Sequence, residues 1–257
     1  MKKLSLCLLV FVSLFFSCQN DEGEYEKVTP DLKLEFSYDG VLYSSAYHYS
    51  SDSIVIVDDE KVSEVYSMLM ENEQLATVVG EDGGIVYYDN YESVDGILRK
   101  SLDTKNTKST SANLSLYLYE HIGYTGNVVN ESGSSEVNIA TLEYYYWNIG
   151  LSRQSANDKV TSIIANFSYR SSDPIIGNSI PSGAVLTIFE HKDYGGKSLS
   201  FKSRFTSYNG VLGMVNNSGQ IKVNTLIDYK MKSGGLFHSD TSWNDQMSSA
   251  KFTFYKE

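Results

Sequence analysis

Two hexapeptides in the second half of the chain carry a recurring set of oxygen donors. Asn157-Asp158-Lys159-Val160-Thr161-Ser162 and Asn244-Asp245-Gln246-Met247-Ser248-Ser249 each place an amide, a carboxylate and two hydroxyls within six residues, with no imidazole or thiolate among them. Oxygen-only sets suit a hard cation, and calcium takes about six to eight such oxygens from carboxylates, amides, backbone carbonyls and water. Catalysis has few tools in this chain. His121 and His191 fall at equivalent positions of a repeat, which marks a structural slot. His48 and His238 stand in separate regions without a nucleophile elbow or a His-x-x-x-His spacing. The expectation is a protein that is not an enzyme.

Each hexapeptide lies downstream of a second repeat that must position it. Leu116-Tyr117-Leu118-Tyr119-Glu120-His121-Ile122-Gly123-Tyr124-Thr125-Gly126 aligns with Leu186-Thr187-Ile188-Phe189-Glu190-His191-Lys192-Asp193-Tyr194-Gly195-Gly196, and the second copy then runs longer, with its extra residues expected between Gly210 and Gly235. Gly126 and Gly196 fall where a folded-back hairpin needs positive φ or close backbone approach. Tyr119/Tyr124 and Phe189/Tyr194 are spaced to lay one ring across each hairpin, and Ser162 and Ser249 are placed to bond its backbone. Leu116/Leu118, Val160/Ile163, Leu186/Ile188 and Phe252/Phe254 supply apolar residues at or near strand period, as a β-sandwich core requires.

This order of hairpin and acidic hexapeptide, occurring twice, resembles the βγ-crystallin family. The resemblance covers residues 114–257, with motifs at about 114–169 and 185–256, and implies two Greek key motifs packed as one sandwich. It also implies up to two calcium ions, each held by one loop and completed by a backbone carbonyl from the early hairpin of the partner motif. Carried onto this sequence, the loops are Asn157, Asp158, Lys159 through its carbonyl and Thr161, then Asn244, Asp245, Gln246 through its carbonyl and Ser248. Glu120 and Glu190 are the hairpin carbonyls. One carboxylate per loop and the Lys159 ammonium imply weak sites, with a dissociation constant of about 10⁻⁵ to 10⁻³ M.

Upstream, residues 32–100 read as a small α+β domain. Asp39-Gly40 suits a two-residue hairpin turn, and Ser53–Val57 reads as a third strand. Asp58 or Asp59 caps a helix burying Val62, Val65, Tyr66 and Leu69, which stops near Asn72. Leu75–Val79 and Gly84–Tyr88 are further strands, and Asn90–Leu98 a short helix. Residues 101–113 are polar and read as a linker. Tyr144-Tyr145-Tyr146-Trp147 is expected to bury one alternating pair and expose the other.

The chain has 257 residues, a net charge of -11, 20 tyrosines and three prolines. The acidity excludes nucleic acid as a partner, because phosphate binding needs clustered Lys and Arg, and the composition favours a mainly β fold. Met1–Ser17 has the charged start and apolar middle of a signal peptide. With Cys18 it resembles the lipoprotein pattern of the Bacteroidota, Cys18 being the lipid attachment site and residues 18–31 an acidic tether. That places the protein in the cell envelope as an outer-membrane lipoprotein at the cell surface, its membrane partner reached through the lipid. Cys7 leaves with the signal, so the folded part has no disulfide. The alternative is a cell-surface adhesin or glycan-binding module in which calcium is structural or absent; no particular protein or glycan ligand is named by the residues.

Overall fold

The computed structural model describes residues 32–49, 55–99, 110–149, 152–171, 180–211, 214–232 and 241–256. The signal segment, Cys18, the acidic tether, His238 and residues 101–109 of the expected linker lie outside them. Strand β1 (Leu32–Tyr38) turns through Asp39 and Gly40, at φ 49° and 73°, into β2 (Val41–Tyr49). Two consecutive positive φ values give the turn whose twist matches the flanking strands. After β3 (Val55–Val57), helix α1 (Glu60–Glu71) opens on Asp59, whose carboxylate accepts the Val62 N–H at 2.9 Å. Strands β4 (Ala76–Val79) and β5 (Ile85–Tyr88) follow, then α2 (Tyr91–Arg99). Asn90 accepts the Ser93 N–H at 3.0 Å at its start. Phe36 centres a small core with Val62, Leu69, Met70, Leu75 and Tyr87.

The repeats supply the remaining strands: β6 (Thr110–His121), β7 (Thr125–Gly133), β8 (Glu136–Ile139), β9 (Tyr146–Ile149), β10 (Ser152–Ser155), β11 (Ser162–Ser171), β12 (Gly183–Phe189), β13 (Ser198–Arg204), β14 (Ser207–Val211), β15 (Met214–Val223), β16 (Lys230–Lys232), β17 (Thr241–Ser242) and β18 (Ser249–Tyr255). Each motif contributes a hairpin and a closing strand to its own sheet and sends a third strand to the other. One sheet orders β14-β15-β11-β6-β7, so β15 of the second motif sits beside β11 and β6 of the first; the other ends β13-β12-β18-β8, so β8 of the first motif pairs with β18 of the second. This is a pair of Greek keys with exchanged strands, and the protein is mainly β. The extra length of the second copy includes β14, a fifth strand that pairs with β15 from Ser207↔Ser218 to Val211↔Met214. Inward residues of both sheets share one core, among them Leu114, Leu116, Leu118, Ile163, Leu186, Ile188 and Phe252, joined by Trp243 from the bend after β17. Each such side chain contributes about 1.5–3 kcal/mol by leaving water.

Two expectations about organisation differ from what the chain does. Residues 110–113, assigned to a linker, open β6 and continue its ladder against β11 as far as Thr110↔Ser171. The α+β segment is not set apart either: β4 runs parallel to β13 from Ala76↔Ser198 to Val79↔Phe201, which joins all five of its strands to the second motif in one nine-stranded sheet. Asp31–Glu257 accordingly form one compact unit. At the junction the Ser198 N–H donates to the Leu75 carbonyl at 2.9 Å. The buried Lys197 ammonium donates to the Met70 carbonyl at 2.6 Å. Helix α1 has no basic residue in its last turn, so Lys197 supplies from the second motif the cation that a helix C-terminus favours.

Because the sheet is continuous, residues 32–99 and the repeats are expected to unfold together. A urea melt followed by far-ultraviolet circular dichroism and by tyrosine fluorescence should show coincident single transitions. Lys197→Met should shift that transition down by about 1.5–3 kcal/mol, the worth of a hydrogen bond to a charged group. An early partial transition in the wild-type protein would instead show that the α+β segment folds on its own.

Candidate metal centre

The two hairpins are built alike. Tyr124 and Tyr194 hold φ 61° and 64°, Gly126 and Gly196 hold 80° and 73°, and each ring lies edge-on to its partner, Tyr119 to Tyr124 at 6.0 Å and Phe189 to Tyr194 at 5.5 Å. A Cβ on Gly126 would stand 2.7 Å from His121 Cδ2, and one on Gly196 2.9 Å from His191 Cδ2. The two histidines therefore serve as walls against which the hairpin folds. Ser162 Oγ donates to the His121 carbonyl at 2.6 Å and accepts the Tyr124 N–H at 3.1 Å; Ser249 Oγ does the same with His191 and Tyr194, at 2.6 and 3.2 Å. Both serines are fully buried. Each hexapeptide's last residue thus fastens the loop to the hairpin of its own motif.

The loops themselves meet each other. The Asp158 N–H donates to the Met247 carbonyl at 3.2 Å and the Asp245 N–H to the Val160 carbonyl at 3.3 Å. Both aspartates are in the left-handed region, at φ 52° and 55°. That conformation costs a non-glycine residue roughly 1–2 kcal/mol, and it carries each carboxylate across to the other loop. Asp158 Oδ1 accepts from Ser248 Oγ at 3.1 Å, and Asp245 Oδ1 from Thr161 Oγ1 at 3.3 Å. The grouping by loop that the resemblance implied is therefore not the spatial one: Asp158 goes with Ser248, and Asp245 with Thr161.

Asn157 Nδ2 and Asn244 Nδ2 donate to the second carboxylate oxygen of the aspartate that follows each, at 2.6 and 2.9 Å. Their Oδ1 atoms are buried and accept no hydrogen bond, a condition that costs about 1–3 kcal/mol for a neutral group. Among the described residues no backbone N–H donates to the carbonyl of Lys159 or Gln246. Lys159, Thr161, Asn244 and Asp245 line one cleft of about 440 Å³ together with Glu120, His121, Ile122 and Ile227. Glu120 sits at a break in the β6–β7 register, between Tyr119 and His121. Its carboxylate is turned to Asn127, whose Nδ2 donates at 2.7 Å, and that of Glu190 accepts the Lys197 N–H at 3.3 Å. Among the described residues no three His, Cys, Asp or Glu side chains converge, so any cation held here depends on neutral oxygens.

One further repeat went unread in the sequence. Thr141-Leu142-Glu143-Tyr144-Tyr145 and Thr225-Leu226-Ile227-Asp228-Tyr229 are equivalent turns: Thr141 Oγ1 accepts the Glu143 N–H at 3.1 Å and Thr225 Oγ1 that of Ile227 at 3.2 Å. They too are crossed. The Leu142 N–H donates to the Ser248 carbonyl, and the Leu226 N–H to that of Thr161, each at 2.8 Å. The shared Thr-Leu-x-x-Tyr pattern was the available signal. In the aromatic run beside the first copy Trp147 is buried, Tyr145 partly so, and Tyr144 and Tyr146 are exposed; only Tyr146 and Trp147 belong to a strand, β9, while Tyr144 and Tyr145 lie in the turn before it. His48 pairs with Asp58 at 2.8 Å on the exposed surface.

No protein-family model matches the chain, and no curated protein does. A chain described under "Evolution of the eye lens beta-gamma-crystallin domain fold" is similar to 59% of this chain over 94% of its own length, at 14% identity and a TM-score of 0.29. The paired Greek keys are read from the strand order of the two sheets, not from that overlap.

Ser249→Ala should lower stability by about 1–3 kcal/mol, because it leaves a buried carbonyl and a buried N–H without their shared partner. Gly126→Ala should cost at least about 1–2 kcal/mol through its φ alone. Chemical denaturation of both variants measures this, and a wild-type midpoint for either would remove the hairpin clasp from the account.

Proposed function

We propose that the protein is a non-enzymatic calcium-binding lipoprotein of the cell surface, its ions held where the two hexapeptides cross. One set is Asp245, Thr161 and the carbonyls of Lys159 and Glu120; the other is Asp158, Ser248 and the carbonyls of Gln246 and Glu190. The observation that carries the reading is the crossed carboxylate–hydroxyl pair. Its O···O separations of 3.1 and 3.3 Å are those of two oxygens able to share one cation at calcium's bond lengths of about 2.3–2.6 Å. The chemistry of the donors agrees: all are oxygens, and the buried Asn157 and Asn244 amides orient the two carboxylates. Calcium would bring charge to the one carboxylate of each set and would tie motif to motif. The signal-like residues 1–17 and Cys18 support attachment to a membrane through lipid.

By mass action, calcium at 100 times its dissociation constant should add about 2.7 kcal/mol to stability per site. Melting in calcium and in EDTA should separate accordingly, and an unchanged midpoint would sink the reading. Within it, double-mutant cycles should couple Asp245→Ala to Thr161→Ala and Asp158→Ala to Ser248→Ala in their effect on the calcium shift, while the loop-wise pairs Asp158/Thr161 and Asp245/Ser248 should be near additive. Labelling with a radioactive fatty acid in a bacterial host should mark the wild type and not Cys18→Ser.

A further inference from the structure

Between the α+β strands and the second motif lies a cleft of about 260 Å³, lined chiefly by tyrosines: Tyr47, Tyr49, Tyr66, Tyr87 and Tyr229. It is distinct from the place where the hexapeptides cross. Lys33 and Asp228 bring one charge of each sign to it. Three of the rings pack against aromatics outside the cleft. Tyr229 stands edge-on to Phe201 at 5.0 Å, Tyr87 edge-on to Phe36 at 5.3 Å, and Tyr66 lies 5.9 Å from Phe36. Tyr47 and Tyr49 meet edge-on at 5.8 Å, and Tyr49 remains 54% exposed. A wall of aromatic rings held in place, with the outermost left open to solvent, is prepared at little further ordering cost on binding.

We propose that this cleft binds one pyranose ring of a neutral carbohydrate. A tyrosine combines an apolar ring face with a hydroxyl that can donate and accept. A sugar ring divides in the same way, into a C–H face and a hydroxyl edge. The Asp228 carboxylate can accept from two neighbouring sugar hydroxyls, and the Lys33 ammonium, which is paired with Glu35, keeps further N–H donors for a third. The volume falls just under the roughly 300 Å³ at which drug-sized ligands begin, which suits a single ring over a lipid chain. A single lysine among the lining residues, on a chain of net charge -11, disfavours acidic sugars and phosphates. Clefts between two structural parts are common binding places, and here hairpin β1–β2, helix α1 and the turn before β16 each supply a wall.

Saturation-transfer NMR on the full-length protein tests this with the methyl glycosides of glucose, galactose, mannose and N-acetylglucosamine at millimolar concentration. At least one should receive saturation, equally in calcium and in EDTA, since the cleft shares no residue with the crossed hexapeptides. Tyr49→Ala and Asp228→Ala should each weaken it by about tenfold or more, with the melting midpoint showing that these exposed positions leave the fold intact. Tyr144→Ala, on the other exposed aromatic surface, should change nothing. Silence from all four glycosides overturns the proposal, as does binding that survives Tyr49→Ala or that disappears in Tyr144→Ala. Signal lost in EDTA while the fold persists also overturns it, by moving the sugar to the calcium sites.

Discussion

The exchange of one strand between the motifs is the constraint on which the molecule depends. Neither Greek key closes its own sheet: β8 belongs to the sheet of the second motif and β15 to that of the first. Two sheets tied in this way must face each other at a fixed offset, so their inward residues form a single core in which Leu118 and Ile188 are both fully buried. The same exchange brings the hexapeptides together about a local two-fold relation, in which every contact of Asp158 with the second loop is repeated by Asp245 with the first. Left-handed φ at both aspartates and two buried amide oxygens without partners are each unfavourable in isolation. Their occurrence together at one symmetric point is what singles out the crossing for the calcium proposal.

How much of this could be read beforehand follows from the distance over which each feature is determined. The hairpins were legible because Gly126, Gly196 and the paired rings act within eight residues of one another. The clasping role of Ser162 and Ser249 was legible because the repeat gave two independent copies of it. The crossing was not: Thr161 is three residues from Asp158, and nothing in the order of residues says that Ser248 of the other loop will be the hydroxyl bonded to it. The Thr-Leu-x-x-Tyr turns escaped for a related reason. They share too few residues to stand out until the carbonyls they reach, those of Ser248 and Thr161, identify them as equivalent. The junction of β4 with β13 was invisible on the same ground. A short apolar run such as Ala76–Val79 announces a strand, but not which strand it will pair with.

That junction also gives the α+β segment a physical reason to be where it is. A strand at the edge of a sheet presents unpaired N–H and C=O groups and must be covered, shortened or made polar to avoid pairing with another molecule. β7, the outer strand of the five-stranded sheet, alternates exposed polar residues such as Asn130 with the buried Val129. Its counterpart β13 reads Ser-Leu-Ser-Phe, and all four residues are buried with β4 paired along them. The α+β segment adds β4 along this edge, and α2 brings Tyr91 to the second hairpin, where the Lys251 ammonium lies 4.1 Å from the centre of the Tyr194 ring and 5.1 Å from that of Tyr91. Such contacts contribute about 0.5–2 kcal/mol each. Covering the edge has a second consequence. It sets the tyrosines of β2, α1 and β5 against Tyr229 and Asp228 of the turn that the repeat supplies, so the cleft exists only because the sheet is continuous.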